Sequence, residues 1–518
     1  MKKNIFYLSG TVLITLFSIL IFDACQKPTL SLELPRAIGP VSIQITDANP
    51  AATTNPANPT VKITGENALD VVNFLNKLEF TPQNGLITIG LKKGSVPSAA
   101  KPYRFNVVVT AEGYLPTVQP VEIIEDKIQV VTVRMVNLKA PPTSALVTTK
   151  NFNVGDAAAI QSPALNVNVA AGTTMTDANG AALSGNVSST MVGFDIKSND
   201  TQLAFPGGFV QNKIKNSKGA LVDGGVFSPI ALMALEMNVN SNAVKNFSKP
   251  IAVSVALASG LKNEKTQSDV KEGDEFGLYS MDKGGSEWAE QGTVKVVSDG
   301  KGGLKVDFTT DHLTFYSIGI LSSFCTNGTT VKLSGFQANE TYYCIFTNRY
   351  TNQLLSTTAT PVSTDAAGNG LTRLMNMPLG SVYTAKIYPS PIWTYGGINL
   401  PPIAEIAVPF VGCGGTVTAT CFNCQPRTGS VNFTIKIKCD GNATNLETNI
   451  DAPVWFRPYN PANPAGPWRY LGYVLDGKLS TNDLTIGNRY DFMTFYGPAW
   501  TGYTVSSANI TEVRSFCP

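Results

Sequence analysis

An all-β chain of tandem sandwich domains is what this sequence predicts, on three observations. Charged residues are only 15% of the chain, and 45 glycines and 32 prolines punctuate runs rich in Val, Thr and Asn, a composition that favours strands and turns. Apolar and polar residues alternate with period two, as at Phe105, Val107, Val109 and Ala111 and again at Val131, Val133 and Met135, so that one face of each strand enters a core. The chain has 518 residues, which at about 150 per domain makes room for about three or four domains, each with its own core. One short helix is predicted between Glu66 and Lys77, where Ala68, Val71, Val72 and Leu75 recur at helical spacing.

The first segment is Met1 to Cys25, with Lys2 and Lys3, an apolar run from Ile5 to Phe22, and then Ala24-Cys25 before polar sequence begins. It reads as a bacterial export signal over 1–24 with a lipid-modified Cys25, followed by a tether over 25–30. Phe22-Asp23-Ala24 supplies the last small residue of a lipobox but not the aliphatic residue and first small residue before it. An uncleaved anchor or an ordinary secretory signal is the alternative. The lipid reading places the rest of the chain in the cell envelope, on the outer membrane, with the membrane as a partner through lipid rather than through a spanning helix.

Residues 31–138 carry the period-two pattern. Arg104-Phe-Asn-Val-Val-Val-Thr-Ala-Glu-Gly-Tyr114, followed by Val121-Glu-Ile-Ile124, resembles the A-x-G-Y strand and turn of carboxypeptidase-regulatory-like, transthyretin-like sandwiches. That resemblance implies a spacer or stalk. Lys139 to Ser144, with Pro141-Pro142, reads as a linker, since proline cannot continue a ladder. A larger sandwich then spans 145–322, with strand candidates at Ile251 to Leu257, Phe276 to Ser280 and Val294 to Val297. Asp177-Ala-Asn-Gly180 and Asp299-Gly-Lys-Gly302 lack the full ligand ladder of a calcium loop and read as turns.

The strand Asp311-His-Leu-Thr-Phe-Tyr-Ser-Ile-Gly-Ile-Leu321 resembles the self-cleaving site of adhesion-receptor autoproteolysis domains. Phe247 to Val255, with Glu287-Trp288 between, is similar to the sandwich of ankyrins and netrin receptors. Carried over, these likenesses imply His312 as base and Thr314 Oγ as the nucleophile on the Leu313 carbonyl, giving an ester that water resolves. The cysteine pair that precedes the site in the adhesion receptors is missing. The other reading is an ordinary last strand whose polar residues cap a turn and whose aromatics fill a core.

The last third predicts two sandwich repeats, over 325–415 and 420–518. Leu379-Gly380, Tyr383, Tyr388 and Trp393-Thr394 match Ile486-Gly487, Tyr490, Phe495 and Trp500-Thr501 at a constant offset of 107. Seven of the eight cysteines lie here: Cys325, Cys344, Cys413, Cys421, Cys424, Cys439 and Cys517. In an exported chain they predict disulfides joining the first and last strands of each repeat, among Cys325, Cys413, Cys424 and Cys517, with Cys421 an alternative to Cys424. An odd count leaves one thiol free or paired to another chain. A zinc site from Cys413, Cys421, Cys424 and Cys439 lacks a second Cys-x-x-Cys, and no βαβ pattern surrounds Cys421 and Cys424 to support a thioredoxin-like role.

Composition and motif content narrow the chemistry. Net charge is +2 with no block of like charge, which argues against a nucleic-acid partner. His312 is the one histidine, which excludes a two-histidine metal centre. Neither a Gly-x-Ser-x-Gly elbow nor a phosphate-binding loop occurs. No metal or cofactor is expected, and Glu272, Asp274 and Glu275 read as a solvated turn. Ligand binding is expected at Trp455, Tyr459, Trp468 and Tyr470, where aromatics flank a Pro-rich loop and could stack on sugar rings or on a surface protein; plugging the ends of a sandwich core is the other reading. Taken whole, the chain resembles surface lipoproteins of the Bacteroidetes kind, which implies non-enzymatic adhesion or carbohydrate binding. The alternatives are a self-cleaving surface protein and an envelope scaffold.

Overall fold

Alternation of apolar residues becomes alternation of environment in the computed structural model. It describes residues 37–98, 100–198, 203–282, 284, 287–325, 328–338, 340–349, 354–355, 359–374, 377–378, 383–389, 394–395, 398–399, 401–408, 415–421, 431–438, 447–461, 468–474, 476–481, 483–494 and 499–515. Cys25 and the export signal therefore lie outside the described residues, as do Trp393, Cys413, Cys424, Cys439 and Cys517. The regular structure is almost entirely β, as expected for tandem sandwiches, and no helix among the described residues is long and apolar enough to cross a membrane.

Seven strands build the N-terminal sandwich: β1 (Ile38–Asp47), β2 (Thr60–Thr64), β3 (Val71–Asn73), β4 (Leu86–Leu91), β5 (Tyr103–Thr110), β6 (Thr117–Ile123) and β7 (Gln129–Met135). One sheet has the order β3-β4-β1-β7 and the other β2-β5-β6. Val41, Ile43 and Ile45 of β1, Ile87, Ile89 and Leu91 of β4, and Val107 and Val109 of β5 meet in the core between them. The expected helix is instead a single 3-10 turn, Ala68–Asp70, that runs into β3. The branched Val71 and Val72 pair with Leu91 and Gly90 of β4, so sheet pairing overrides the helical spacing. At the A-x-G-Y turn, the Tyr114 hydroxyl donates to Asp47 Oδ2 at 2.9 Å, and burial pushes its pKa up to about 12. The outer edge at β6 is closed: Pro120 has no N–H, and the carbonyls of Val118, Pro120 and Glu122 accept from Gly207 N and from the side chains of Gln119 and Gln129.

Residues 145–322 form a 14-stranded sheet folded around one core in which Ile160, Val187, Met233, Ile251, Val296 and Tyr316 are fully or almost fully buried. Leu221–Val239, 19 residues long, is its spine. It pairs with Val210–Lys215 at its start, with Phe315–Ser322 along its middle and with Asn186–Phe194 at its end. A second cluster joins this unit to the N-terminal sandwich, bringing Val108, Leu115, Val118 and Val136 against Phe205, Phe209, Phe227 and Trp288.

The two C-terminal sandwiches share one topology. In the first, Thr329–Ser334 pairs antiparallel with Gly370–Leu374 and parallel with the closing strand Thr416–Thr420. In the second, Val431–Lys438 does the same with Lys478–Thr481 and Asn509–Ser515. The offset of 107 has a physical counterpart. The Tyr383 hydroxyl donates to the Pro378 carbonyl, and the Tyr490 hydroxyl accepts from the Thr485 N–H at 3.1 Å. Each tyrosine thus anchors the backbone five residues upstream of itself. The N-terminal sandwich has the same opening, since β1 is antiparallel to β4 and parallel to β7.

Candidate functional site

Two constellations drew functional readings. The first is the turn at His312. Asp311 Oδ1 lies 2.9 Å from His312 Nδ1, and Ser280 Oγ lies 3.3 Å from Nε2. The imidazole holds Asp311 below the ordinary carboxylate range by its hydrogen bond. Ser280 is 32 residues away in sequence and is brought in by the strand Glu275–Met281, so no local pattern could have revealed it. The order Asp, His, Ser matches a hydrolytic triad, but the exposures are reversed. The Asp311 side chain is 74% exposed and Ser280 only 4%, whereas a triad needs a buried orienting carboxylate and a reachable hydroxyl.

Groups implied for self-cleavage are committed elsewhere. The Thr314 hydroxyl donates to the Met281 carbonyl, and Thr314 and Leu313 are both buried. The hydroxyls of Tyr316 and Thr310 hold the carbonyl of His312, at 2.6 and 3.0 Å, one residue upstream of the bond in question. Oxyanion stabilisation needs donors at the reacting carbonyl. Intact mass of the full chain is therefore expected to show no break between Leu313 and Thr314, unchanged in His312→Ala; a pair of fragments meeting there would sink this expectation.

The acidic runs serve turns. Asp177 Oδ1 accepts from Asn179 and Ala181 N–H, Asp299 Oδ1 from Lys301 and Gly303 N–H, and Asp274 Oδ2 from Asn263 Nδ2 and Lys271 N. Cys325 and Cys421 are disulfide-bonded, which removes Cys421 as a thiolate zinc ligand. Cys344 is a free thiol, buried, and burial alone pushes its pKa far up, so it is inert as a nucleophile.

The second constellation lies on the outer sheet of the last sandwich, formed by Arg469–Val474, Ala452–Pro458, Arg489–Met493 and Trp500–Thr504 in that order. Val454, Phe456, Phe492 and Leu471 point into that sandwich's own core, together with Trp500. The alternate residues face outward. Trp455 stands beside Met493 and Tyr470, and Arg457 beside Asp491. The rings of Trp455 and Tyr470 meet edge-on at 5.4 Å, and the Arg457 guanidinium lies 4.4 Å over the Trp468 ring. Arg457 Nε donates to Asp491 Oδ2 at 2.9 Å, with the two side chains only 14% and 5% exposed.

This face is covered. Trp455, Trp468 and Tyr470 are all buried, packed with Met493 against Leu86 and Val130 of the N-terminal sandwich. Trp455 Nε1 donates to Ser42 Oγ at 3.2 Å, and Gln44 Nε2 donates to the Trp468 carbonyl. Tyr459 is half-buried, with the Arg489 guanidinium 4.3 Å over its ring. The expectation of exposed rings on a Pro-rich loop is corrected here: three of the four predicted residues form an interface between the first and last sandwiches, and residues 462–467 of the loop lie outside the described residues. The rings do not plug their own core either.

No family model matches the chain, and no curated protein matches it. Among solved structures, the Bacillus anthracis TIE protein is similar at 10% identity and TM-score 0.11, over 73% of this chain and 58% of that one. This chain therefore spans little more than half the length of that protein. BcpA, the major pilin subunit of Bacillus cereus, is similar at 12% identity and TM-score 0.13, over 74% of this chain and 98% of that one. An Escherichia coli P pilus tip assembly intermediate is similar at 9% identity and TM-score 0.11, over 92% and 68%. At such scores these likenesses carry no argument, and the reading below rests on the residues.

Proposed function

We propose that the protein is a non-enzymatic cell-envelope protein for adhesion or ligand display, lipid-anchored at Cys25, with carbohydrate as its ligand class. The observation that carries this reading is the outward face of the last sandwich. It places Trp455, Trp468 and Tyr470 beside a buried Arg457–Asp491 pair, on the side of the sheet that its own core does not use. Flat aromatic surface with a few fixed polar groups suits stacking on sugar rings, and a ligand reaches this one when the N-terminal sheet that covers it moves aside.

The test is binding of the full chain to immobilised neutral polysaccharides, compared with Trp455→Ala combined with Trp468→Ala. Retained binding is expected to fall at least about tenfold in the double variant, the loss of about 1.4 kcal/mol or more that removing stacked rings entails. Equal binding by both proteins would rule out this face as the site.

A further inference from the structure

We infer that the outer face of the N-terminal sheet occupies the aromatic face of the last sandwich as an intramolecular substitute for its ligand, a hydroxyl-rich carbohydrate chain. The inference rests on the functional reading above and goes beyond it by naming what holds the site.

Composition of the covering sheet is the first argument. In β1, Val41, Ile43 and Ile45 enter the N-terminal core, and the alternate positions that meet the last sandwich are Ser42 and Gln44. Thr88 of β4 stands beside Ser42. Ser42, Gln44 and Thr88 are all buried, at 0%, 4% and 4% exposure. A permanent interface between domains would favour apolar side chains at such positions. Here one face is aromatic, and the other sets hydroxyl and amide groups, the groups a saccharide presents, among the apolar Leu86 and Val130, much as a sugar ring joins hydroxyls to a C–H face.

The quality of the match is the second argument. The Trp455 indole donates to a hydroxyl oxygen, Ser42 Oγ, as it would to a sugar hydroxyl. Yet the neighbouring Thr88 Oγ1 is buried with no hydrogen-bond partner. A buried hydroxyl left unpaired costs about 1–3 kcal/mol, which weakens the contact relative to a ligand that satisfies every group. A substitute ligand must be displaceable, and this defect lowers the cost of displacing it. The sheet face also belongs to a sandwich with a complete core of its own, so its departure leaves that core intact.

The experiment places charge on the covering face without touching the aromatic one. Ser42→Arg combined with Thr88→Arg in the full chain is expected to raise acrylamide quenching of tryptophan fluorescence and to shift the emission to the red. Binding to soluble xylan, mannan and dextran should tighten at least tenfold, and adding Trp455→Ala should abolish the gain. Ser42→Ala combined with Gln44→Ala, which deletes the hydrogen bonds to Trp455 Nε1 and to the Trp468 carbonyl without adding bulk, should give a smaller gain of the same sign and covers the case in which the arginine variant fails to fold.

Unchanged quenching in both folded variants would overturn the inference, because the contact would then not depend on these groups. Increased quenching with no gain in binding, while the wild-type chain binds through Trp455 and Trp468, would overturn the inference and leave the functional reading standing. Increased quenching with no polysaccharide bound by any of the proteins would overturn both.

Discussion

Asp491→Ala is expected to destabilise the last sandwich by about 3–5 kcal/mol, the cost of stranding one partner of a buried ion pair. The Asp491 carboxylate accepts from Arg457 Nε at 2.9 Å through one oxygen and from the Gly502 N–H at 2.8 Å through the other. Removing it takes the Asp491 carboxylate away from a guanidinium whose side chain is only 14% exposed, and takes the acceptor from the N–H of Gly502, where the strand has an irregular register and φ is +64°. Arg457 also holds its place over Trp468, so the aromatic face loses order with it. In urea the transition of this sandwich should move down by about 1–5 M, for m-values of about 1–3 kcal/mol/M. Arg457→Met combined with Asp491→Leu should recover most of the loss, because a buried pair replaced as a whole by apolar groups costs little. A single Asp491→Ala shift below about 0.3 M would show that the pair is not held away from water.

Trp288→Ala is expected to cost about 3–5 kcal/mol as well, here through a cavity. The indole is fully buried, stacked on Phe205 with centroids 5.8 Å apart and edge-on to Phe227 at 5.3 Å. These rings belong to the cluster on which Val108, Leu115, Val118 and Val136 of the N-terminal sandwich sit. The substitution should therefore loosen the seat of that sandwich, visible as limited proteolysis within residues 139–144 before global unfolding. Trp288→Phe should be milder, since Trp288 Nε1 is buried without a hydrogen-bond partner and phenylalanine removes that orphan donor while keeping most of the ring. Equal losses for the two variants would indicate that the cavity is not the cause.

Strand content was legible because alternation is a local property. Val41, Ile43 and Ile45, and Val431, Phe433 and Ile435, identify themselves as core positions by period and type. The repeat at an offset of 107 was legible for the same reason, since Tyr383 and Tyr490 each serve their own sandwich. What alternation does not encode is the environment of a strand's second face. Ser42, Gln44 and Thr88 look like solvent positions, and Trp455 and Trp468 look like exposed rings. Each is buried by a surface more than 320 residues away in sequence. Ser280 at His312 was hidden in the same way. The helix expected after Glu66 failed because Val71 and Val72 found a partner strand, a non-local event that outweighs a weak local preference.

Parallel pairing of the first and last strands has a mechanical meaning. In the N-terminal sandwich, residues 41–47 run alongside 129–135 in register; in the last sandwich, 432–438 run alongside 509–515. Because the paired strands run in the same direction, the entering and leaving chain ends of each sandwich emerge at opposite ends of the pair. A pull along the chain therefore loads the whole row of hydrogen bonds in shear, all at once, instead of peeling them apart one after another. Such a module yields at a higher force than a hairpin of the same thermodynamic stability, and three sandwiches among the described residues share the arrangement.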